Sequence, residues 1–542
     1  MTMIIRSRFL VNFWIIALVV SALVSLSIPR PLSSTSATYD VVITNARIVD
    51  GTGNPWSRAD IGIKEGVITR IGKINLSDAT KVIDAKDQIV APGFIDVHAH
   101  VEGIYTQPEA ENFVRMGVTT LITGNCGFSQ TGVAGFLGRT KETQLGINLG
   151  TLVAHGSVRQ QVLGLENRAP TQEEQAKMEA IVEQAMKDGA FGLSSGLIYV
   201  PGTYAQTSEI VSLAKVVKRY GGIYATHMRS EGNDVVEAIN ESIKIGEEAQ
   251  IPVEISHFKI SSKLLWGKNQ TTLDLVRNAR KKGLQVTVDQ YVYTASSTSL
   301  DTMLPSWALE GGREEAKKRL GDLVTKEKII KEMKDSLKKS KFKDYEYAIV
   351  ANYPANKDFN GKNIKQLAKL VREKDNLDAQ IEQIFEMYTA GGSGMVFHKM
   401  NEADVQAFLK EQFTMIAADS STQRIGNGVP HPRGYGNNAR VLGRYVRELK
   451  LLSLEDAVRK MTSLPAQTFN IRNRGLVREG YFADLVIFDE KTIADKATFE
   501  NPHQYAEGLS FVLVNGEAVF ADSKMSGKRS GQALRGVGAS SL

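Results

Sequence analysis

Eight short apolar runs alternate with helix-like segments through the middle of the chain. The runs are "FIDVHAH", "VTTLITGNC", "NLGTLVAHG", "AFGLSSGLIYV", "GIYATHMR", "IPVEISHFK", "LQVTVDQYVY" and "FTMIAADS". Apolar runs separated by helices are typical of parallel strands buried on both faces in βα units. Eight such units predict an α/β fold, a (β/α)8 TIM barrel over residues 92–474, with its chemistry at the carboxyl ends of the strands.

Both ends of the chain have a different pattern, in which apolar and polar residues alternate between Gly and Asn turns. It occurs in "YDVVITNARIVDG" and "RADIGIKEGVITRIGKI" near the amino terminus and in "GYFADLVIFD" and "LSFVLVNGEAVF" near the carboxyl terminus. This alternation is typical of short antiparallel strands. We therefore expect one small β-sandwich domain built from residues 38–91 and 475–524.

Two further segments stand outside these patterns. Residues 300–396, ahead of the last apolar run, are charged and mostly helix-like, which predicts a helical insertion that forms a lid or cap. Their densest charge run, "KEKIIKEMKDSLKKSKFKD", is interpreted as the solvated face of a helix. The C-terminal tail, 525–542, is basic and rich in Gly and Ser, so little order is expected beyond its first residues.

The first 37 residues have the composition of a targeting segment. "MTMIIRSR" carries two arginines, an apolar run follows from Phe9 to Ile28, and "PLSSTSA" supplies small residues for cleavage after Ala37. This order predicts a secretory signal peptide and an exported protein, periplasmic or secreted. Because the apolar run is also long enough to span a bilayer, an uncleaved membrane anchor is the alternative.

The charge and the cysteine content of the chain limit which partners and cross-links are expected. The 542 residues include 66 Lys and Arg against 60 Asp and Glu, a net charge of +6, and the charges are mixed along the chain. We therefore expect no nucleic-acid partner, while the oligomeric state stays open. Because Cys126 is the only cysteine, no intrachain disulfide can form.

Residues capable of metal binding and proton transfer follow the predicted strands. They are His98, His100, Cys126, His155, His227, His257, Asp289 and Asp419. His98 and His100 are two apart on a strand, so both side chains leave one face and can meet one ion. Several imidazoles at one barrel mouth indicate a metal. Asp419 is either the N-cap of the next helix or a general base beside that metal.

Several motifs together resemble one family. They are "APGFIDVHAH", "GNCGFS", "HGSVR", "GLSSGLIYVPG", "THMRSE", "EISHFK", "DQYVYTASST", "HPRGYGNNARVLGRYVRE" and "GYFADLVIFD". The chain is similar to the N-acyl-D-amino-acid deacylases, or D-aminoacylases, of the amidohydrolase superfamily. The similarity extends from about Tyr39 to Arg535 and includes the split β-domain, so it is far more specific than a His-x-His pair alone.

The resemblance implies a zinc centre. It places one tight zinc on Cys126, His227 and His257, a thiolate and two imidazoles that complete a tetrahedral site with water. His98 and His100 match the family's second, weaker site, with Cys126 able to bridge the two. The lone cysteine thus has a predicted function as a metal ligand.

The resemblance also implies an activity, hydrolysis of the amide bond of an N-acyl-D-amino acid. Asp419 matches the catalytic aspartate, which would accept a proton from the attacking water and pass it to the leaving amine. The residues that match the family's substrate-carboxylate contacts are Lys259, Tyr291, Ser297 and Arg433. Tyr199 matches a tyrosine that binds the carbonyl oxygen.

The chain departs from the family pattern at the predicted mouth. Asp419 is followed by Ser420 and Ser421 where family members usually have glycine, and "VEG" follows the His-x-His pair in place of an acidic pair. These differences leave the preferred side chain and acyl group open.

Three alternatives remain at this stage. A cyclic amidase of the dihydroorotase or hydantoinase type would need a lysine in the fourth strand, and "GAFGLSSGL" has none. A D-dipeptidase of the same superfamily fits an exported location. An exported, non-catalytic barrel that binds a ligand would need a missing metal ligand or base, and every one is present.

Overall fold

The computed structural model describes residues 37–540. Residues 1–36, which hold nearly all of the predicted leader, and residues 541–542 lie outside this range. None of the helices in residues 37–540 is long and apolar enough to cross a membrane.

All eight predicted barrel strands are present. In chain order they are Phe94–Asp96, Val118–Thr123, Asn148–Thr151 continued by Val153–Ala154, Gly192–Gly196, Ile223–His227, Val253–Ile255, Val286–Gln290 and Thr414–Ile416. Neighbouring strands pair in parallel, as at Gly196 opposite His227. A parallel bridge from Ala99 to Ser420 joins the first strand to the last, so the barrel closes and the prediction is confirmed.

Helices connect the strands and cover the barrel. They are Glu111–Val114, Val133–Thr143, His155–Leu163, Gln172–Lys187, Thr207–Arg219, Val235–Ala249, Asn269–Lys281, Glu402–Leu409, Arg433–Arg440 with its continuation Val441–Glu448, Leu454–Met461 and Ser463–Thr468. The helix Gln172–Lys187 begins with a capping box between Thr171 and Glu174. Its buried residues Met178, Val182 and Met186 recur at helical spacing, which explains why this segment packs on the barrel.

As predicted, both chain ends contribute strands to one β-domain, but these strands join in one continuous sheet. Tyr39–Ile48 pairs in parallel with Ala79–Asp84 and Ile89–Pro92, where only antiparallel strands were expected. The sheet contains Tyr39–Ile48, Ser57–Lys64, Val67–Gly72, Ala79–Asp84, Ile89–Pro92, Leu485–Phe488, Leu509–Val514, Glu517–Ala521 and Lys524–Met525. The junction is the antiparallel pairing of Ile89–Pro92 with Leu485–Phe488. Buried side chains from both halves, including Ile43, Ile61 and Leu513, form a shared core, which holds the two ends together.

The insertion before the last barrel strand has its own core and more β-structure than expected. Its helices are Arg313–Gly321, Leu323–Lys339, Ile364–Arg372 and Leu377–Thr389. Its strands Ala348–Asn352 and Gly394–Phe397 join Ser296–Ser299 in an antiparallel sheet. Buried Ile329, Met333 and Ile384 pack between helices and sheet, so the insertion is a compact subdomain.

The expectation of a poorly ordered tail was wrong. Residues Gly531 and Ala533 bridge to Leu145 and Leu149 at the third barrel strand, and further on Gly536 N donates to Gly189 O at 2.9 Å. A Cβ on Gly531 would lie 2.0 Å from Ile147 O. The glycines that suggested disorder therefore allow the tail to lie directly on the backbone at the amino-terminal face of the barrel.

Candidate active site

Cys126 lies at the centre of a histidine cluster at the carboxyl ends of the barrel strands. Its Sγ is 3.3 Å from Nε2 of His98, 3.6 Å from Nε2 of His257 and 3.7 Å from Nδ1 of His227. All four side chains are buried. Strands one, two, five and six thus bring the predicted ligands to one point, because parallel strands end on the same face of a barrel.

Three residues of the cluster have an unusual backbone. Cys126, His257 and Asp419 have φ angles of 54°, 38° and 50°, in the left-handed region that non-glycine residues rarely occupy. Each follows a barrel strand directly or within a few residues. Such conformations cost about 1–3 kcal/mol each.

A close backbone contact fixes the cysteine loop. A Cβ on Gly196 would lie only 2.1 Å from Cys126 O, so a larger residue would displace the loop. On its other side Gly124 N donates to Oε1 of Glu102 at 3.0 Å, and Thr123 Oγ1 donates to the same oxygen at 2.8 Å. The glycines of "GNCG" and "LSSG" and the glutamate of "VEG" therefore position the thiol.

Asp419 connects the histidines to a buried arginine. Its Oδ1 is 3.1 Å from Nε2 of His100 and 3.6 Å from Nε2 of His98, and its Oδ2 is 2.9 Å from an Nη atom of Arg433. Burial opposes ionisation, but Arg433, His98 and His100 outweigh it and hold the pKa of Asp419 well below its usual range. The carboxylate is therefore ionised and can accept a proton.

A second carboxylate, Asp289, orients the cluster from within the barrel. Its Oδ2 lies 2.9 Å from Nδ1 of His98, and its Oδ1 accepts a hydrogen bond of 2.9 Å from the backbone N–H of His257. Asp96 similarly accepts from the backbone N–H groups of His98 and Ala418 at 3.0 and 2.8 Å. These bonds tie strands one, six, seven and eight together beneath the site.

The donor set of the cluster fits zinc. Three groups of residues have potential ligand atoms within 4.8 Å of one another: His98, Cys126 and His257; His98, His100 and Asp419; and His227, Glu231 and His257. Burial and the charge of Asp419 raise the pKa of the Cys126 thiol well above its usual range, so a nearby cation is needed for the thiolate to form. A thiolate with imidazoles selects zinc over magnesium or calcium.

Four of the predicted substrate residues line one cavity with the cluster. Tyr199, Lys259, Tyr291 and Ser297 border this space of about 800 Å³, together with His100, Cys126, His227, His257 and Asp419. The hydroxyl of Tyr199 lies 3.3 Å from Nδ1 of His227 and 2.8 Å from Thr298 Oγ1. The insertion supplies much of the outer wall, including Leu304, Leu309, Arg313 and Tyr388.

The predicted carboxylate-binding residues have partners inside the protein. Lys259 Nζ donates to Oε1 of Glu231 at 2.5 Å, and Ser297 Oγ donates to Met395 O at 2.9 Å. Arg433, besides its salt bridge to Asp419, places its guanidinium 4.4 Å from the centre of the Tyr291 ring. A substrate carboxylate would therefore exchange existing contacts at Arg433 and Lys259.

The structure places one strand-end histidine elsewhere. Nε2 of His155 lies 2.7 Å from Glu209, which also accepts a 3.2 Å bond from Nε of Arg159. These three side chains are fully or almost fully buried and are separate from the clusters of potential metal ligands. His155 follows the third strand but begins a helix, and its role is structural.

Glu231, which was not predicted from the sequence, lies beside His257 and His227. Its Oε1 is 2.8 Å from Nδ1 of His257 and its Oε2 is 3.9 Å from Nε2 of His227. The available signal was its position in "THMRSE", four residues after His227. That spacing alone does not predict the contact with His257, because the contact depends on the loop after the fifth strand folding toward the sixth strand.

Comparisons with known proteins agree with this geometry. Two family models, both described as the amidohydrolase family, match residues 89–260 and 414–520, and a model of the urease alpha-subunit N-terminal domain matches residues 29–93. The chain is 33% identical to a D-aminoacylase from Alcaligenes xylosoxydans xylosoxydans, over 92% of this chain and 98% of that protein.

Solved structures give the same result. An N-acyl-D-glutamate deacylase from Bordetella bronchiseptica, complexed with zinc and a phosphonate that mimics the tetrahedral intermediate, is 30% identical with a TM-score of 0.78 over 92% of this chain and 99% of its own. A D-aminoacylase described as having a binuclear metal center, with one-metal activation and second-metal attenuation, is 31% identical with a TM-score of 0.77 over 92% and 100%. The chain belongs to the D-aminoacylase, or N-acyl-D-amino-acid deacylase, family of amidohydrolases.

Proposed function

We propose that this protein is a zinc-dependent hydrolase that cleaves the amide bond of N-acyl-D-amino acids, releasing a D-amino acid and a carboxylic acid. The observation that carries the proposal is the placement of the Cys126 thiol among His98, His227 and His257, beside an ionised Asp419. The printed activities of the relatives, D-aminoacylase and N-acyl-D-glutamate deacylase, support the same reaction.

Cys126, His227 and His257 would hold a tight zinc, and His98 and His100 a second, weaker one. When bound, zinc supplies Lewis acidity toward a carbonyl oxygen and toward water. The hydroxyl of Tyr199, beside His227, is placed to donate a hydrogen bond to the carbonyl oxygen as negative charge develops on it.

Asp419 would move the proton. Its ionised carboxylate accepts a proton from the attacking water and donates it to the leaving nitrogen, so that the C–N bond breaks and a neutral amine departs. Arg433 and His100, which contact opposite oxygens of Asp419, hold the carboxylate in a fixed orientation. The Asp419 carboxylate is thus already oriented before the substrate binds.

The substrate carboxylate would be bound by Lys259, Tyr291, Ser297 and Arg433. Arg433 has a planar, forked donor group that matches a carboxylate. Lys259, Tyr291 and Ser297 border the same cavity as the metal cluster. This arrangement would place the α-carbon and the scissile amide between the carboxylate-binding residues and Cys126.

The cavity is large enough for substrates bigger than simple N-acetyl-D-amino acids. A volume of about 800 Å³ is in the upper part of the 300–1,000 Å³ range of ligand sites and accepts groups larger than an N-acetyl substituent. D-dipeptides and long-chain N-acyl-D-amino acids are therefore substrates to compare with simple N-acetyl compounds. A carbamylated-lysine centre of the hydantoinase type is disfavoured, because the fourth strand, Gly192–Gly196, contains no lysine.

We also propose that the protein is exported. The basic start, apolar run and small residues before Ala37 support this location. Amino-terminal sequencing of the exported protein would give Thr38 as the first residue after cleavage. An intact Met1 in the membrane fraction would show an anchor instead.

The experiment that tests the function combines metal analysis with a substrate panel. Purified protein is expected to contain zinc and to hydrolyse N-acetyl- or N-formyl-D-amino acids faster than the matched L-forms. D-dipeptides and cyclic amides complete the panel. A metal-free protein that hydrolyses none of them would support the non-catalytic alternative.

A further inference from the structure

Glu231 contacts two of the predicted zinc ligands on the side that faces away from the thiol. Cys126 Sγ meets Nε2 of His257 and Nδ1 of His227. Glu231 lies on the other side of both rings. Its Oε1 is within hydrogen-bond distance of Nδ1 of His257, at 2.8 Å, whereas its Oε2 is 3.9 Å from Nε2 of His227, too far for a hydrogen bond. The Glu231 carboxylate therefore lies near both imidazoles, on the side opposite the predicted metal site.

The position of the ring proton decides whether each imidazole can bind a metal. A neutral imidazole carries one N–H donor and one nitrogen with a free lone pair. For the nitrogen facing Cys126 to bind zinc, the nitrogen facing Glu231 must carry the proton. An ionised carboxylate only accepts hydrogen bonds, so it favours this tautomer. Nε2 of His227 is buried and has no hydrogen-bond partner among residues 37–540, so Glu231 acts on this nitrogen through its charge and not through a hydrogen bond.

Lys259 acts on His257 in the opposite direction. Its Nζ lies 2.8 Å from Nδ1 of His257 and 2.5 Å from Oε1 of Glu231. An ammonium group only donates, so Lys259 alone would make Nδ1 the acceptor and put the proton on Nε2, toward Cys126. Glu231 accepts a hydrogen bond from the Lys259 ammonium group and also provides a hydrogen-bond acceptor for Nδ1 of His257.

We propose that Glu231 is a positioning residue that sets the zinc-binding tautomer of His257 against the competing donor Lys259, while its charge favours the same tautomer of His227 from a longer distance. This inference rests on the proposed function, since it takes these histidines as zinc ligands. It concerns how tightly the metal is held, separately from how fast the loaded enzyme turns over.

The test is the zinc dissociation constant of metal-depleted variants, measured by competition with a chromophoric chelator. Glu231→Gln keeps the side-chain shape but presents an amide N–H₂ to one of the two rings. We expect zinc binding to weaken about 10- to 100-fold, the usual effect of losing such a partner. Lys259→Met in the Glu231→Gln background is expected to recover part of the loss, because it removes the donor that favours the wrong tautomer of His257.

Glu241→Gln is the matched control. Glu241 forms a salt bridge to Arg229 and accepts from Thr207, and it touches none of the cluster histidines. It should bind zinc as wild type does. Circular dichroism and thermal unfolding of the metal-depleted variants would show that each is folded.

Two results would overturn the positioning role. One is a Glu231→Gln variant that binds zinc as tightly as wild type. The other is X-ray absorption at saturating zinc in which wild type has a carboxylate in its ligand shell that the variant lacks, because Glu231 would then be a ligand itself. Equal affinities of the single and double variants would overturn the opposing role of Lys259. If wild type binds no zinc, the proposed function itself fails.

Discussion

Arg433 forms a buried salt bridge to Asp419, with an Nη atom 2.9 Å from Oδ2 and both side chains almost fully shielded from solvent. The residue matched to substrate binding thus contacts the residue matched to proton transfer. Because Arg433 also stacks on Tyr291, one arginine connects the carboxylate-binding residues to the general base. Loss of Arg433 is consequently expected to affect both substrate binding and the general base, whereas Asp419→Asn should affect mainly the proton transfer.

Asp419→Asn is expected to retain zinc but to lose about 10²- to 10⁴-fold in kcat, the usual contribution of a general base. The amide has nearly the same shape but cannot accept the proton from water. Steady-state kinetics with zinc quantified in the same sample provides the measurement. Asp495→Asn, which removes a carboxylate paired with Arg440, is the control and should keep wild-type turnover. Near-normal kcat in Asp419→Asn would show that another group is the base.

Arg433→Ala is expected to lower kcat/KM about 10- to 150-fold for substrates with a free carboxylate, corresponding to about 1.5–3 kcal/mol for a charge-assisted hydrogen bond. An amide analogue with its carboxylate neutralised should lose less. Some loss should remain for the analogue, because Asp419 also loses its partner. Arg433→Lys keeps the positive charge but not the forked donor group, so its kcat/KM should lie between those of wild type and Arg433→Ala.

The comparison of charged and neutralised substrates is the informative part of that experiment. Equal losses for both would mean that Arg433 acts only on Asp419. The substrate carboxylate would then be bound by Lys259 or elsewhere, and the double variant with Lys259→Met would locate it.

Cys126→Ala is expected to lose the tight zinc, and with it activity, because the thiol is the one sulfur ligand at the centre of the cluster. His257→Ala should have the same effect. Zinc per chain, measured after gel filtration, is the readout. His503→Gln is the control, since His503 contacts Tyr435 and Gly428 O and lies outside the cluster. Full zinc occupancy in Cys126→Ala would exclude the thiolate site.

Much of the cluster could be predicted because the topology brings the ends of parallel strands to one face of the barrel. Once eight parallel strands are inferred, His98, Cys126, His257 and Asp419 are expected at the same mouth, but topology does not decide which strand-end side chains meet there, since His155 pairs with Glu209 instead. The family resemblance then supplied roles. The left-handed backbone of three of these residues was not visible in the sequence, because no glycine occupies those positions.

Glu231 could not be predicted in the same way. Its contact with His257 depends on the path of the loop after the fifth strand, where Ser261 N donates to Glu231 O at 2.7 Å and draws two loops together. Loop paths depend on such tertiary contacts, which a single sequence does not reveal. The same limit applies to Leu309 and Tyr388, which reach the cavity only because the insertion folds as a subdomain over it.

The tail shows where composition misleads. Gly and Ser predict disorder in isolation, but the order of this segment comes from the surface that it meets. Leu534 N donates to Leu149 O at 2.8 Å and Ser540 N to Lys187 O at 3.0 Å. The small residues remove the steric barrier to those bonds, so the feature that suggested flexibility is the one that permits docking.

Removal of residues 526–542 is therefore expected to destabilise the barrel. The lost bonds to Leu149, Gly189 and Lys187 are each worth about 0.5–1.5 kcal/mol net, so the free energy of unfolding should fall by a few kcal/mol. Thermal unfolding of the truncated protein would measure the change. Activity at low temperature should persist, because the tail lies on the face opposite the metal cluster.

Gly531→Ala tests the same contact with a single methyl group. The added Cβ would lie 2.0 Å from Ile147 O, so the tail must move away and the melting temperature should fall. Gly135→Ala is the matched control, because its Cβ would meet nothing within 4 Å on the helix Val133–Thr143. There alanine should stabilise by up to about 1 kcal/mol. If both substitutions raised the melting temperature alike, the tail would not be bound to the barrel as described, and the truncation should then be harmless as well.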